Sequence, residues 1–195
     1  MTTAAAAASL AARGLAVFPL LPGGRRPAAG TRLSQCLSDP ARVRQLWRAG
    51  DNIGVGCRAS GIVGLDLDVD NEGDGVAELA ALAARLGEAW PDTLTTSTPS
   101  GGRHLYFRVP AGCTIGSFSG GRTGLGPGID VRGPGRRCGG YLIGAGSVVD
   151  GRRYVIDHDV AVAPLPGWIA AVLDLPARSV VLPSDGPTVG KGSDR

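Results

Sequence analysis

Apolar and polar positions alternate strictly over Leu65-Asp66-Leu67-Asp68-Val69-Asp70, following the apolar start Ile62-Val63-Gly64. A period of two is the spacing of a strand, whose successive side chains point to opposite faces. The pattern predicts a strand over 62–70. Leu65, Leu67 and Val69 would face a core, and Asp66, Asp68 and, at the far end, Asp70 would share the other face. Residues 103–109 alternate in the same way, with Leu105 and Phe107 opposite His104, Tyr106 and Arg108. Shorter apolar runs predict strands over 15–20, 52–56, 91–98, 128–132 and 140–143. Residues 148–155 read as a hairpin turned at Asp150-Gly151.

Helical spacing appears elsewhere. An Ala-rich helix is predicted over 4–12, stopped by Gly14. A second, over 40–49, opens with Asp39 as cap and Pro40 at the first position, and turns Leu46 and Trp47 inward. A third, over 75–86, is capped by Asp74 and repeats Leu79, Leu82 and Leu86. A fourth closes the domain over 166–173. The Gly-, Ser- and Thr-rich stretch 111–128 reads as a mobile loop. Periodicity ends at Pro176. The chain therefore divides into a domain over 1–175 and a flexible tail or linker over 176–195.

Composition narrows this picture. A chain of 195 residues with 43% hydrophobic content can bury one real core. Of its 20 basic residues only Lys191 is a lysine, which together with the many Ala, Gly and Pro looks like coding bias. A net charge of +3 permits nucleic-acid binding without demonstrating it. Cys36, Cys57, Cys113 and Cys138 form no C-x-x-C pair, and His104 and His158 are the only histidines. This argues against a zinc site and a disulfide framework. The N-terminal run lacks a basic start, so it reads as a helix rather than a signal peptide. No stretch approaches the ~18 apolar residues that span a bilayer. A soluble, cytoplasmic protein with no membrane partner is expected.

Candidate chemistry starts with the acidic strand. Carboxylates packed side by side repel one another unless a cation lies between them. Oxygen ligands on a rigid strand suit a hard ion such as Mg²⁺ or Mn²⁺, which points to chemistry on phosphates. The competing reading is a solvated edge strand. A second signal is Thr98-Pro99-Ser100-Gly101-Gly102-Arg103-His104. A Gly-rich turn before a strand can present backbone N–H groups to an anion, with Ser100 and His104 as further donors. Otherwise it is a plain turn followed by a half-buried core histidine. The third is Gly128-Ile129-Asp130-Val131-Arg132-Gly133. Asp130 and Arg132 are either a surface ion pair or, beside the first strand, a further metal ligand and an anion contact. Arg25 and Arg26 in a Pro-Gly-rich loop face phosphates or only solvent. Residues 139–147 approach a sugar or base, or merely connect. Arg122 and the adjacent Arg136 and Arg137 are candidates for a nucleic-acid backbone, against a solvated arginine pair.

The order of these motifs resembles a known family. Arg25-Arg26-Pro27, Asn52-Ile53-Gly54-Val55-Gly56, Gly61 through Asp68, Thr98 through Phe107, Gly128 through Gly133 and Gly139-Gly140-Tyr141-Leu142-Ile143 follow one another as in the bifunctional DNA primase/polymerase (Prim-Pol) domain of the archaeo-eukaryotic primase superfamily, found on plasmids, phages and integrated elements. The resemblance spans about residues 5–173. It implies an α+β fold: an RRM-like catalytic mixed sheet with an N-terminal α/β module. It implies that Asp66, Asp68 and Asp130 are catalytic metal ligands for Mg²⁺ or Mn²⁺. Ser100, Gly101, Gly102 and His104 would bind the nucleotide, with Arg132 at the same anion site. Arg25 stands where the family usually has a lysine, keeping the charge with a different geometry. Gly144-Ala145-Gly146-Ser147 stands where the family often has Pro-Pro-Ser.

The expected activity is metal-dependent nucleotidyl transfer that makes primers on single-stranded DNA and could extend them. Two ions would lower the pKa of the primer 3′-hydroxyl and neutralise the triphosphate. The implied partners are nucleoside triphosphates, template and primer, with a replicative helicase in cis or in trans. Two rival readings remain at this level: a metal-dependent nuclease or phosphohydrolase, and a non-catalytic DNA-binding replication module. The Ser-Gly-Gly-x-His turn speaks against the first. Keeping three acids together with His104 speaks against the second.

Overall fold

The alternation at 62–67 forms the centre of the fold. The structure is a computed structural model that describes residues 1–174 except 28–29, 32–34, 71–72, 120–121 and 138. The expected tail over 176–195 and Cys138 lie outside the described residues. In chain order the elements are α1 (Thr3–Ala12), β1 (Val17–Leu20), α2 (Pro40–Leu46), β2 (Asn52–Gly56), α3 (Cys57–Ser60), β3 (Ile62–Leu67), α4 (Gly75–Leu86) and β4 (Thr95–Ser97). They continue with β5 (Arg103–Arg108), β6 (Ile129–Arg132), β7 (Tyr141–Ile143), β8 (Val148–Val149), β9 (Arg152–Arg153), β10 (Val155–His158), β11 (Ala163–Pro164) and α5 (Gly167–Asp174).

The larger sheet has the order β10-β4-β5-β3-β6, with β11 added beside β5. Its pairings are antiparallel except that of β11, which runs parallel to β5. A smaller antiparallel sheet has the order β1-β2-β7. The chain is thus a mixed α+β fold.

The two faces of the larger sheet differ as the alternation requires. Val63, Leu65 and Leu67 join Leu105, Phe107, Ile129 and Val131 on one face, and pack against Leu79 and Leu82 of α4 and Ile169 and Val172 of α5. Each such buried aliphatic side chain contributes roughly 1.5–3 kcal/mol, which anchors the strands from beneath. On the opposite face Ile62 and Tyr106 pack with Leu142 and with residues of α1 and β2. Gly64 lets β7 cross this face closely, since a Cβ there would sit 2.3 Å from Leu142 Cδ1. The smaller sheet therefore leans over the same face that carries Asp66.

Several boundaries depart from the sequence reading. α2 stops at Leu46 because Trp47 turns to an extended conformation (φ −73, ψ 125) while still donating to the Val43 carbonyl. Leu46 then points outward, 55% exposed, rather than into the core. Leu86 is likewise largely outside, at 39%. β3 ends at Leu67 rather than Asp70: the Asp68 N–H still bonds the Gly128 carbonyl (2.8 Å), but the Asp68 carbonyl leaves the ladder to accept from the Gly75 N–H at the start of α4 (2.7 Å). Asp70 leaves the acidic row: its Oδ1 accepts from the Gly73 N–H (3.1 Å) in the turn into α4. β4 begins at Thr95, four residues into the expected 91–98 strand. The single turn α3 and strands β10 and β11 had no periodic signal. The hairpin at Asp150-Gly151 forms as expected, with both residues at positive φ (51 and 74) between paired Val149 and Arg152, the requirement of a type I′ turn. No helix among the described residues is long and apolar enough to cross a membrane.

Candidate active site

The strand register assembles the acidic site. Asp66 on β3 lies opposite His104 on β5 and opposite Asp130 on β6, so three side chains from adjacent strands form one row on the polar face. Asp68 follows just past the end of β3. Its backbone is pinned there by two bonds, its N–H to the Gly128 carbonyl (2.8 Å) and its carbonyl from the Gly75 N–H (2.7 Å). Asp74 caps α4 through the N–H groups of Val76 and Ala77 (3.0 Å each), which fixes the start of that helix against the site. Asp66, Asp68 and Asp130 each offer one carboxylate oxygen, and these atoms lie within 4.8 Å of one another.

The electrostatics of the row are uneven. Burial works against a charge on Asp66, but the adjacent His104, then Arg132 and Arg25, outweigh it and hold its carboxyl below the ordinary value. His104 Nε2 lies 3.0 Å from Asp66 Oδ1, and Nδ1 lies 3.0 Å from the Ile143 carbonyl oxygen. The ring thus has an oxygen at each nitrogen, which fixes its orientation in the row. Asp68 behaves in the opposite way. Burial, and then the like charges of Asp66 and Asp130, push its carboxyl up to about 6. His104 offsets this only in part, and an all-oxygen donor set of this kind fits a hard divalent cation.

Arg132 supplies part of that charge from the protein itself. Its Nη2 donates to Asp130 Oδ2 at 2.7 Å and lies 3.9 Å from Asp66 Oδ2. Its Nη1 donates to Ser119 Oγ at 2.7 Å. Phe118 bridges to Val131 at the edge of β6, which holds Ser119 beside the arginine.

A cleft of about 560 Å³ opens over the row. One wall is the loop between β4 and β5, where Thr98, Pro99 and Ser100 line the cleft. The Gly101 N–H closes this turn onto the Thr98 carbonyl (3.1 Å), and Thr98 Oγ1 lies 3.0 Å from Ser100 Oγ. Gly102 is obligatory there, since a Cβ would sit 2.1 Å from the Leu67 carbonyl oxygen. The turn is thereby pressed against the end of the acidic strand. Across the cleft stand Arg25, Tyr141, the hairpin residues Asp150 and Arg152, and Tyr154, whose ring lies 5.6 Å from that of His104.

Of the residues read from the sequence, Arg25, Asp66, Asp68, Ser100, His104 and Arg132 line this one cleft. Asp130 stands beside it in the acidic cluster. Gly101 and Gly102 shape the turn. Arg122, Arg136 and Arg137 are exposed and are not among the cleft residues. Ser117, Asp150, Arg152 and Tyr154 line the cleft without having been singled out. The Asp-Gly turn located the hairpin, but nothing local indicated which way its tip would face. Asn52 was read only as a strand residue. It is 1% exposed and bridges two walls of the cleft.

Residues 7–168 match the family model described as bifunctional DNA primase/polymerase, N-terminal (Prim-Pol). A search of curated proteins finds no match to the chain.

Proposed function

Since the chain belongs to the bifunctional DNA primase/polymerase family, we propose that it is a metal-dependent nucleotidyltransferase that makes primers on single-stranded DNA and extends them. The observation that carries this reading is the convergence of Asp66, Asp68 and Asp130, each with an oxygen within 4.8 Å of the others, beside a cleft that Asp66, Asp68, His104 and Arg132 line. The same premise supports an archaeo-eukaryotic primase fold, with the larger sheet as the RRM-like catalytic layer and the N-terminal elements as the α/β module.

Asp66, Asp68 and Asp130 would hold Mg²⁺ or Mn²⁺. When bound, such ions lower the pKa of a primer 3′-hydroxyl and neutralise a triphosphate. The protein's own groups do the rest. His104 braces Asp66, with its two ring nitrogens on the Asp66 carboxylate and the Ile143 carbonyl. Ser100, on the turn shaped by Gly101 and Gly102, offers a hydroxyl to the incoming triphosphate. Arg132 adds a guanidinium suited to phosphate oxygens. Arg25 stands over the opposite wall as a contact to nucleotide or nucleic-acid phosphate. Arg122, Arg136 and Arg137 contact the template outside the cleft. Nucleoside triphosphates, template and primer are the substrates, and a replicative helicase in cis or in trans supplies unwinding.

The test is primer synthesis on single-stranded DNA with ribonucleotides and deoxyribonucleotides supplied separately. Asp66→Ala and Asp68→Ala should each abolish incorporation while circular dichroism and melting show a folded protein. Near-normal incorporation by both variants overturns the reading. Metal-dependent shortening of the DNA by the wild-type protein, in place of extension, would identify a nuclease.

A further inference from the structure

We infer that Asn52 and Tyr141 are positioning residues for Arg25, holding its loop over the carboxylate cleft as a phosphate clamp. The inference rests on the reading of the cleft as a nucleotide and nucleic-acid site. Arg25 lies in a Pro-Gly-rich loop after β1 and is itself exposed. Within the loop two backbone bonds close it, the Gly24 N–H to the Leu21 carbonyl (3.0 Å) and the Leu21 N–H to the Arg26 carbonyl (2.9 Å). These give the loop its shape but do not aim it.

The aim comes from outside the loop. Asn52 Nδ2 donates to the Gly24 carbonyl at 2.8 Å and to the Val148 carbonyl at 2.7 Å. Its Oδ1 accepts from the Val148 N–H at 2.9 Å. One buried amide therefore locks the Arg25 loop to the base of the Asp150-Gly151 hairpin, and both segments line the cleft. Tyr141 makes the second tie, its hydroxyl donating to the Arg25 carbonyl at 3.1 Å. Phe18 supports that tyrosine ring edge-on at 5.3 Å.

The chemistry of position 52 is specific. An amide offers two donors and an acceptor, and all are used here. A carboxylate of the same shape can accept from Val148 but cannot donate to either carbonyl. A purely structural strand position would tolerate that change with a loss of melting temperature alone. A positioning residue transmits it to Arg25. Arg25 lines the same cleft as Asp66 and Asp68.

The experiment is a pair of double-mutant cycles, Asn52→Asp with Arg25→Ala and Tyr141→Phe with Arg25→Ala. Two ligands are titrated separately at equilibrium: a non-hydrolysable deoxynucleoside triphosphate with Mg²⁺, and a single-stranded oligonucleotide alone. Arg25→Ala should weaken one of them about tenfold or more, the scale of one charge-assisted contact. A loss in the first arm assigns the clamp to a triphosphate, and a loss in the second to a nucleic-acid backbone. Asn52→Asp should lose a comparable factor and Tyr141→Phe a smaller one, with each double variant binding no more weakly than Arg25→Ala. Tyr141→Phe keeps the ring packing, so its cycle decides the matter should Asn52→Asp not fold. Losses that add, single variants that bind like wild type, or an Arg25→Ala protein unchanged for both ligands each overturn the inference. Primer synthesis by the wild-type protein reports separately on the nucleotidyltransferase reading, which survives any of those results.

Discussion

Arg132 occupies the position where an incoming cation must compete. Its Nη2 sits 2.7 Å from Asp130 Oδ2 and 3.9 Å from Asp66 Oδ2, so it spans two of the three carboxylates that converge within 4.8 Å. The side chains of Arg132 and Asp130 are 26% and 15% exposed, so solvent screens the pair only partly. A charge-assisted hydrogen bond of this kind is worth about 1.5–3 kcal/mol. With the partial exposure, the lower part of that range applies. A divalent ion that draws Asp130 away from Arg132 gives up that amount, which corresponds to roughly a tenfold weaker apparent affinity. Arg132→Gln removes the competing charge and keeps much of the side-chain volume. Mn²⁺ should therefore bind Arg132→Gln about tenfold more tightly than wild type, followed by calorimetry or by the spin-resonance signal of free Mn²⁺, without nucleotide and at low ionic strength. Nucleoside triphosphate affinity in the same variant should fall, because the displaced guanidinium, still tethered at Ser119, is the group that would meet phosphate. An equal or weaker Mn²⁺ affinity in a folded Arg132→Gln protein refutes the reasoning, and would mean that Arg132 holds Asp130 in its ligating position.

Asp68 makes the metal-free protein pH-sensitive. Its carboxyl is raised to about 6 from an ordinary 3.8, by burial first and then by Asp66 and Asp130. Between those values the folded state holds the proton more tightly than the unfolded chain, so this contribution lowers stability as pH rises from about 4 to about 6 and is level above. Melting curves without metal should show that slope, and Asp68→Asn should flatten it. Mn²⁺ affinity should climb over the same interval, since the ion must displace that proton. Template binding offers a test remote from the cleft: Arg136 and Arg137 are exposed on a loop anchored by the bond from Arg58 Nη1 to the Gly135 carbonyl (2.9 Å). Replacing both with Ala should reduce the slope of log affinity for single-stranded DNA against log salt by about one to two units, at ~0.7 per phosphate contact; an unchanged slope means that the template runs elsewhere.

What could be read from the sequence was local. The Asp74 cap and the Asp150-Gly151 turn are satisfied by neighbours in the chain, and the alternation at 62–67 marks a two-faced strand whatever its partners. The early end of β3 is different. It follows from the Asp68 carbonyl accepting the Gly75 N–H of α4 instead of continuing the ladder with β6, a choice that alternation alone does not announce. α3 is a single turn closed by Gly61 in the left-handed region (φ 61), with Ser60 Oγ accepting from the distant Ala16 N–H (2.8 Å). Asn52 illustrates the same limit: a polar residue at a strand's first position reads as a boundary, and only its partners near residues 24 and 148 reveal a bridge.

His104 shows why two opposed readings of one residue can both be incomplete. As a core histidine it should be buried and satisfied, and it is 3% exposed with its Nδ1 on the Ile143 carbonyl. As a site residue it should face the reactive groups, and its Nε2 lies on Asp66 with its edge at the cleft. The register explains the coincidence: the position opposite Asp66 on β5 lies on the sheet face that Leu142 and Ile143 of β7 cover. A side chain there must fill space beneath β7 and also answer a carboxylate. An imidazole presents a flat body to the core and a ring nitrogen to a polar partner at each of two positions. Burial at this position is therefore part of how the acidic row is held, and a substitution that preserved only the packing or only the charge would lose the other half of that arrangement.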